Sequence, residues 1–210
     1  MTAERFEAGF LHRPDQAPRD ALVLTHGAGS NCNAPMLIAV ATEFANAGIL
    51  VYRYDLPFRR KRLKGPPSPS SAAADREGVR EAVQAVRSLV AGKVLVGGQS
   101  YGGRQTSMAV AEDPQHADGL LLLSYPLHAP GRTQMRTAHF PSLRTAALFF
   151  HGTKDPFGTE QEMREAIKEI PAPYDLVMVE GAGHDLGRVP ARVAPVIRER
   201  AERFLLQQAL

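Results

Sequence analysis

The chain has 210 residues, 44% of them hydrophobic and 22% charged, with a formal net charge of +3. Those proportions fit a globular domain, and the charge falls short of the concentrated basic face that nucleic-acid binding needs. No run approaches the roughly 20 apolar residues of a membrane span, and the charged stretch Met1 to Asp20 has no apolar block of a signal peptide. The one cysteine, Cys32, excludes an internal disulfide and fits a reducing compartment, so the expected location is the cytoplasm. The length is that of a single domain, residues 1–210.

Charged and apolar residues alternate from Arg5 to Phe10, which predicts one half-exposed edge strand. Ala21 to Thr25 is a short apolar run of the kind buried on both faces, followed by His26-Gly27-Ala28-Gly29-Ser30-Asn31. Pro35 opens a predicted helix to about Ala47, stopped by Gly48. Ile49 to Tyr54 reads as a strand. Asp55 to Ser71 reads as a loop with a basic cluster, Arg59 to Lys64, expected to be a solvated face or an anion- or partner-docking patch. A helix follows from Ala72 to about Val90, then a strand from Val94. The segment after Gly98 turns into a helix ending near Ala111. Gly119 to Ser124 and Thr145 to Phe150 read as strands joined by a loop, Tyr125 to Arg144, too short for a helical lid. Thr159 and Glu162 form a capping box for the next helix. Leu176 to Val179 is the last strand, and a helix from about Pro190 to Leu206 closes the chain. Strands alternating with amphipathic helices predict an α/β fold, a mostly parallel central sheet flanked by helices on both faces.

In such sheets ligands sit beyond the C-terminal strand ends. Four of these ends carry informative loops, and the fold brings them to one edge. Gly98-Gln99-Ser100-Tyr101-Gly102 is a strand–turn–helix with the serine at its apex, a pattern that means little alone. Asp155 follows another strand, and His184 the last. Serine, acid and histidine in that order suit an α/β-hydrolase arrangement. A serine hydroxyl becomes a useful nucleophile when an imidazole takes its proton. His184 supplies that base, and Asp155 fixes its tautomer. Two backbone N–H groups would hold the oxyanion: Tyr101 beside the nucleophile, and Ala28, or less favourably Gly29, in the first loop.

The motifs His26-Gly27-Ala28-Gly29, Gly98-Gln99-Ser100-Tyr101-Gly102-Gly103-Arg104, His151-Gly152-Thr153-Lys154-Asp155 and Gly183-His184 look like those of the α/β-hydrolases. More narrowly, from about Ala21 onward the chain resembles small bacterial hydrolases related to dienelactone hydrolase and to the testis-expressed hydrolase-like group. The resemblance implies an α/β-hydrolase fold without a helical lid domain. It implies a serine hydrolase with Ser100 as nucleophile, Asp155 as acid, His184 as base, and the Ala28 and Tyr101 amides as oxyanion hole. Dienelactone hydrolase has a cysteine at the turn, so Ser100 argues against that reaction.

The expected substrate is a small carboxylic ester or thioester, with no cofactor, no metal, no nucleic acid and no membrane. Two alternatives use the same residues: a non-catalytic binding or scaffold protein of this fold, or a peptidase or acyltransferase on the same triad. Asp185 competes with Asp155 but adjoins His184, and adjacent side chains rarely orient one another. His26 and His151 are expected to pin their loops. His128 and His139 are candidates to line the site, and Cys32 reads as a small structural residue. A dinucleotide site is excluded, because Gly97 to Gly102 does not spell G-x-G-x-x-G and no acidic residue ends the next strand.

Overall fold

The computed structural model describes residues 3–187 and 189–207. Its strands are β1 (Ala3–Phe6), β2 (Gly9–His12), β3 (Ala21–Thr25), β4 (Leu50–Tyr54), β5 (Val94–Gln99), β6 (Gly119–Leu123), β7 (Ala147–Gly152) and β8 (Tyr174–Val179). Its helices are α1 (Pro35–Asn46), α2 (Pro57–Lys61), α3 (Ala72–Arg87), α4 (Tyr101–Glu112), α5 (Glu160–Ala166) and α6 (Pro190–Ala201). The strands form one sheet in the order β1-β2-β4-β3-β5-β6-β7-β8. β1 and β2 pair antiparallel with their neighbours, and every pairing from β4 to β8 is parallel.

The central strands are apolar along their length because both faces are covered. On one face Leu22, Leu24, Leu121 and Phe150 pack with α1 and α6 through Leu37, Val40, Phe44 and Ile197. On the other, Val23, Val96, Leu122 and Phe149 pack with α3, α4 and α5 through Val79, Val83, Val110 and Met163. No helix among the described residues is long and apolar enough to cross a membrane. The connection from β6 to β7 holds only a short 3-10 turn, Phe140–Ser142, so there is no helical lid.

The crossover order creates a switch point. From β3 the chain leaves through α1 to β4 on one side, and from adjacent β5 it leaves through α4 to β6 on the other. The loops after β3 and β5 therefore diverge and leave a crevice between them, where ligands bind in open α/β sheets.

Two expectations need correction. The segment from Arg5 to Phe10 is a hairpin, with Phe6 opposite Gly9 and Glu7-Ala8 as its two-residue loop. Glu7 takes a φ of 43° at a position where glycine or asparagine would have signalled the turn. The stretch from Asp55 to Ser71 contains α2, a five-residue helix with proline in its first turn. Its run of basic residues conceals any apolar period.

His12 in β2 is 6% exposed and its Nε2 accepts a hydrogen bond from Arg53 Nε at 2.7 Å. Burial first, and the Arg53 charge second, lower its pKa from 6.5 to about 4. Between those values the unfolded chain binds a proton that the folded chain does not, so this residue's contribution to stability falls as the pH drops. Thermal melts from pH 7 to pH 4.5 are expected to show declining Tm in the parent and a shallower decline in His12→Gln. Identical slopes would contradict this.

Candidate active site

β5 ends at Gln99, and Ser100 turns the chain into α4 with φ 52° and ψ −118°. A side-chain-bearing residue held there costs about 1–3 kcal/mol. The turn is tight enough that glycine is required two residues to either side. A Cβ on Gly98 would stand 2.8 Å from the backbone of Gly102 and Gly103, and one on Gly102 would stand 2.5 Å from the His26 carbonyl oxygen. The Ser100 N–H donates to the Leu123 carbonyl at 2.8 Å, which fastens the turn to β6.

The loop after β8 brings His184 to this turn. Its Nε2 lies 2.7 Å from Ser100 Oγ. Its Nδ1 lies 2.8 Å and 3.0 Å from the two oxygens of Asp155, which follows β7. The Asp155 carboxylate is fully buried, and its Oδ1 also accepts the Phe157 N–H at 2.9 Å. A carboxylate on Nδ1 selects the tautomer protonated there, so the Nε2 lone pair faces the serine hydroxyl. Phe157 stacks on the imidazole, with centroids 4.0 Å apart and planes 25° from parallel. Asp185 takes no part: its Oδ1 accepts the Gly187 N–H at 3.0 Å.

The loop after β3 passes directly against the serine. A Cβ on Gly27 would be 3.5 Å from Ser100 Cβ. The Gly27 carbonyl accepts the His26 Nδ1–H at 2.9 Å and the Ser30 N–H at 3.1 Å. In a trans peptide the N–H points opposite to the C=O, so these two bonds also aim the Ala28 N–H. That N–H has no acceptor among the described residues. The Tyr101 N–H opens α4 and has no intrahelical acceptor. His26 is wholly buried, and its Nε2 accepts the Leu56 N–H at 3.2 Å. Burial lowers its pKa, so the ring stays neutral while it bridges the two segments.

Residues 18–194 match the family model described as an alpha/beta hydrolase domain. The chain belongs to the alpha/beta hydrolase family. It is 28% identical over 166 residues to a protein of Pongo abelii named "Putative protein-lysine deacylase ABHD14B", spanning 78% of this chain and 74% of that one. Its fold is similar to that of a dienelactone hydrolase from Anabaena variabilis (TM-score 0.75, 20% identity, 94% of this chain and 91% of that one). It is also similar to a lidless α/β serine hydrolase from Xanthomonas campestris (TM-score 0.72, 16% identity, 96% and 89%).

In this alpha/beta hydrolase the basic cluster is not a uniform solvated face. Arg59 is 3% exposed and turns inward. It donates to four carbonyls: Ser30 at 2.7 Å, Ala28 at 2.7 Å, Gly65 at 3.0 Å and Arg62 at 3.1 Å. One guanidinium thus clamps the loop after β3 to the segment after α2. Asp75, wholly buried on α3, accepts the Phe58 N–H at 2.9 Å and the Tyr101 hydroxyl at 2.7 Å, which ties α2 and the start of α4 together. Arg59, Asp75 and Phe157 went unrecognised in the sequence, because their partners lie in segments distant along the chain.

Other candidates fall outside the contact set of Ser100. His151 Nε2 donates to the Gly158 carbonyl at 2.8 Å and so pins its loop. His128 approaches Glu162 at 3.4 Å, and His139 pairs with Ser107 Oγ at 2.8 Å. Cys32 is buried, and burial first and Asp55 second push its thiol up to about 12, so it is not a thiolate at neutral pH. A cavity of about 300 Å³ opens beside Gln99 and Asp185. A larger one of about 920 Å³ lies past Arg104.

Replacing Arg59 by Met leaves four carbonyls without their donor and is expected to destabilise the fold by about 3 kcal/mol. Hydrogen exchange should quicken across residues 28–31 before it changes in the central strands. Unaltered exchange in that loop would show that the clamp is dispensable.

Proposed function

We propose that the protein is a serine hydrolase that cleaves a small carboxylic ester or thioester through an acyl-enzyme on Ser100, working as one domain. The observation that carries this reading is the unbroken hydrogen-bonded line from Ser100 Oγ through the His184 ring to Asp155. Family membership supports the same class of chemistry. The lone, protonated Cys32 suits a reducing compartment such as the cytoplasm.

Ser100 Oγ attacks the acyl carbon while His184 Nε2 takes its proton. The new C–O bond makes a tetrahedral oxyanion, held by the Ala28 and Tyr101 amides. Asp155 stabilises the imidazolium without taking its proton. The bond to the leaving oxygen or sulfur then breaks, and Nε2–H protonates the departing group. Water repeats the sequence on the acyl-enzyme, with His184 again as base, and releases the carboxylic acid and free Ser100. The open, lidless edge of the sheet favours short acyl groups.

A second reading, removal of an acyl group from lysine, follows the name of the Pongo abelii relative. It differs only in its leaving group, an amine, and comparing an acetylated lysine peptide with p-nitrophenyl acetate separates the two.

Asp155→Asn is expected to lower kcat on p-nitrophenyl acetate by about 10⁴, and Ser100→Ala by at least as much. Parent-like rates in folded Ser100→Ala protein would remove Ser100 from the chemistry and return the fold to a binding role.

A further inference from the structure

Beyond the turn, α4 forms one wall of the 920 Å³ cavity, and the loop from Ala129 to Ser142 forms the other. Three arginines line it: Arg104 from α4, and Arg132 and Arg136 from the loop. Among the described residues none of the three makes an ion pair. Glu112 is the one carboxylate in the lining, and it is engaged outside by Arg76 and Arg80. Arg104 Nε is buried and has no hydrogen-bond partner. His139 adds no negative charge: it is a neutral ring held by Ser107. Arg136 feels both burial and the nearby Arg104 charge, which hold its pKa below the ordinary arginine range. Three like charges around one hollow repel one another, and an anion between them relieves that repulsion.

The position matters as much as the charge. Arg104 is four residues after Ser100, so it lies on the same side of α4, about 6 Å along the helix axis. Its charge reaches Tyr101, which adjoins the serine, as well as Arg136 and His139 on the loop wall. We propose that this cavity is an anion-binding subsite in which Arg104, Arg132 and Arg136 hold a carboxylate or phosphate of the substrate a few carbons from the scissile bond. The position relative to the reacting bond rests on Ser100 being the nucleophile; the anion site itself does not.

The test compares mono-p-nitrophenyl adipate with p-nitrophenyl hexanoate, which differ by the terminal carboxylate. The parent is expected to favour the adipate ester at least tenfold in kcat/KM. That ratio should fall about tenfold in Arg104→Gln and in Arg136→Gln. Arg132→Gln, an exposed change that the fold tolerates, should lower it severalfold. A ratio near one in the parent, or one unmoved by any of the three changes, would overturn the proposal. Calorimetry with succinate and with inorganic phosphate then distinguishes a carboxylate from a phosphate ligand. If neither ester turns over and Ser100 resists a fluorophosphonate, the hydrolase reading fails by itself. In that case calorimetric binding by the parent and its loss in the variants still supports the subsite, and no binding of either anion overturns it.

Discussion

Ser100 presents its hydroxyl because the backbone around it is bare where it must be. The turn from β5 into α4 brings Gly98 against Gly102 and Gly103, and Gly102 against the His26 carbonyl, at separations that no Cβ could occupy. The left-handed backbone at Ser100 is unfavourable on its own. It persists because the sheet fixes one end through Leu123, the helix fixes the other, and no bulk stands between them. Everything else at the site is arranged around that fixed hydroxyl.

The sheet order explains why the partners are within reach. Adjacent β3 and β5 send their chains to opposite sides, so the loop with Ala28 and the turn with Ser100 face each other across the switch point. β7 and β8 deliver Asp155 and His184 from the same edge. The loops at this edge must still be held, and here buried polar groups hold them. Arg59 meets four backbone carbonyls and His26 meets a carbonyl and an amide, while Arg53 reaches the Cys32 carbonyl at 2.5 Å and Asn33 at 2.8 Å. Each bond is affordable in the interior because both partners are satisfied there.

The strand–helix alternation was legible because its cause is local. Apolar runs such as Leu120 to Leu123 and the apolar face of α3 declare themselves within a few residues, and Thr159 and Glu162 announce a capping box that the structure contains. The candidate site residues were legible for a related reason: they stand in strand-to-loop segments that nearby glycines mark. Gly98 and Gly102 flank Ser100 two residues away, Gly152 precedes Asp155 by three, and Gly183 adjoins His184. The hairpin at Glu7 was not, because a non-glycine residue takes the positive φ. Nor was Arg59, since a basic run reads as solvated until distant carbonyls are placed around it. The arginine-lined cavity was hidden for the same reason, as Arg104 and Arg136 meet only after the chain has folded.

Treatment of the folded protein with a fluorophosphonate, followed by intact mass and peptide mapping, bears most directly on whether Ser100 is an activated nucleophile. One adduct per chain on Ser100, lost in His184→Ala, is the expected result. Folded protein that stays unmodified, or that carries its adduct on another residue, would contradict it.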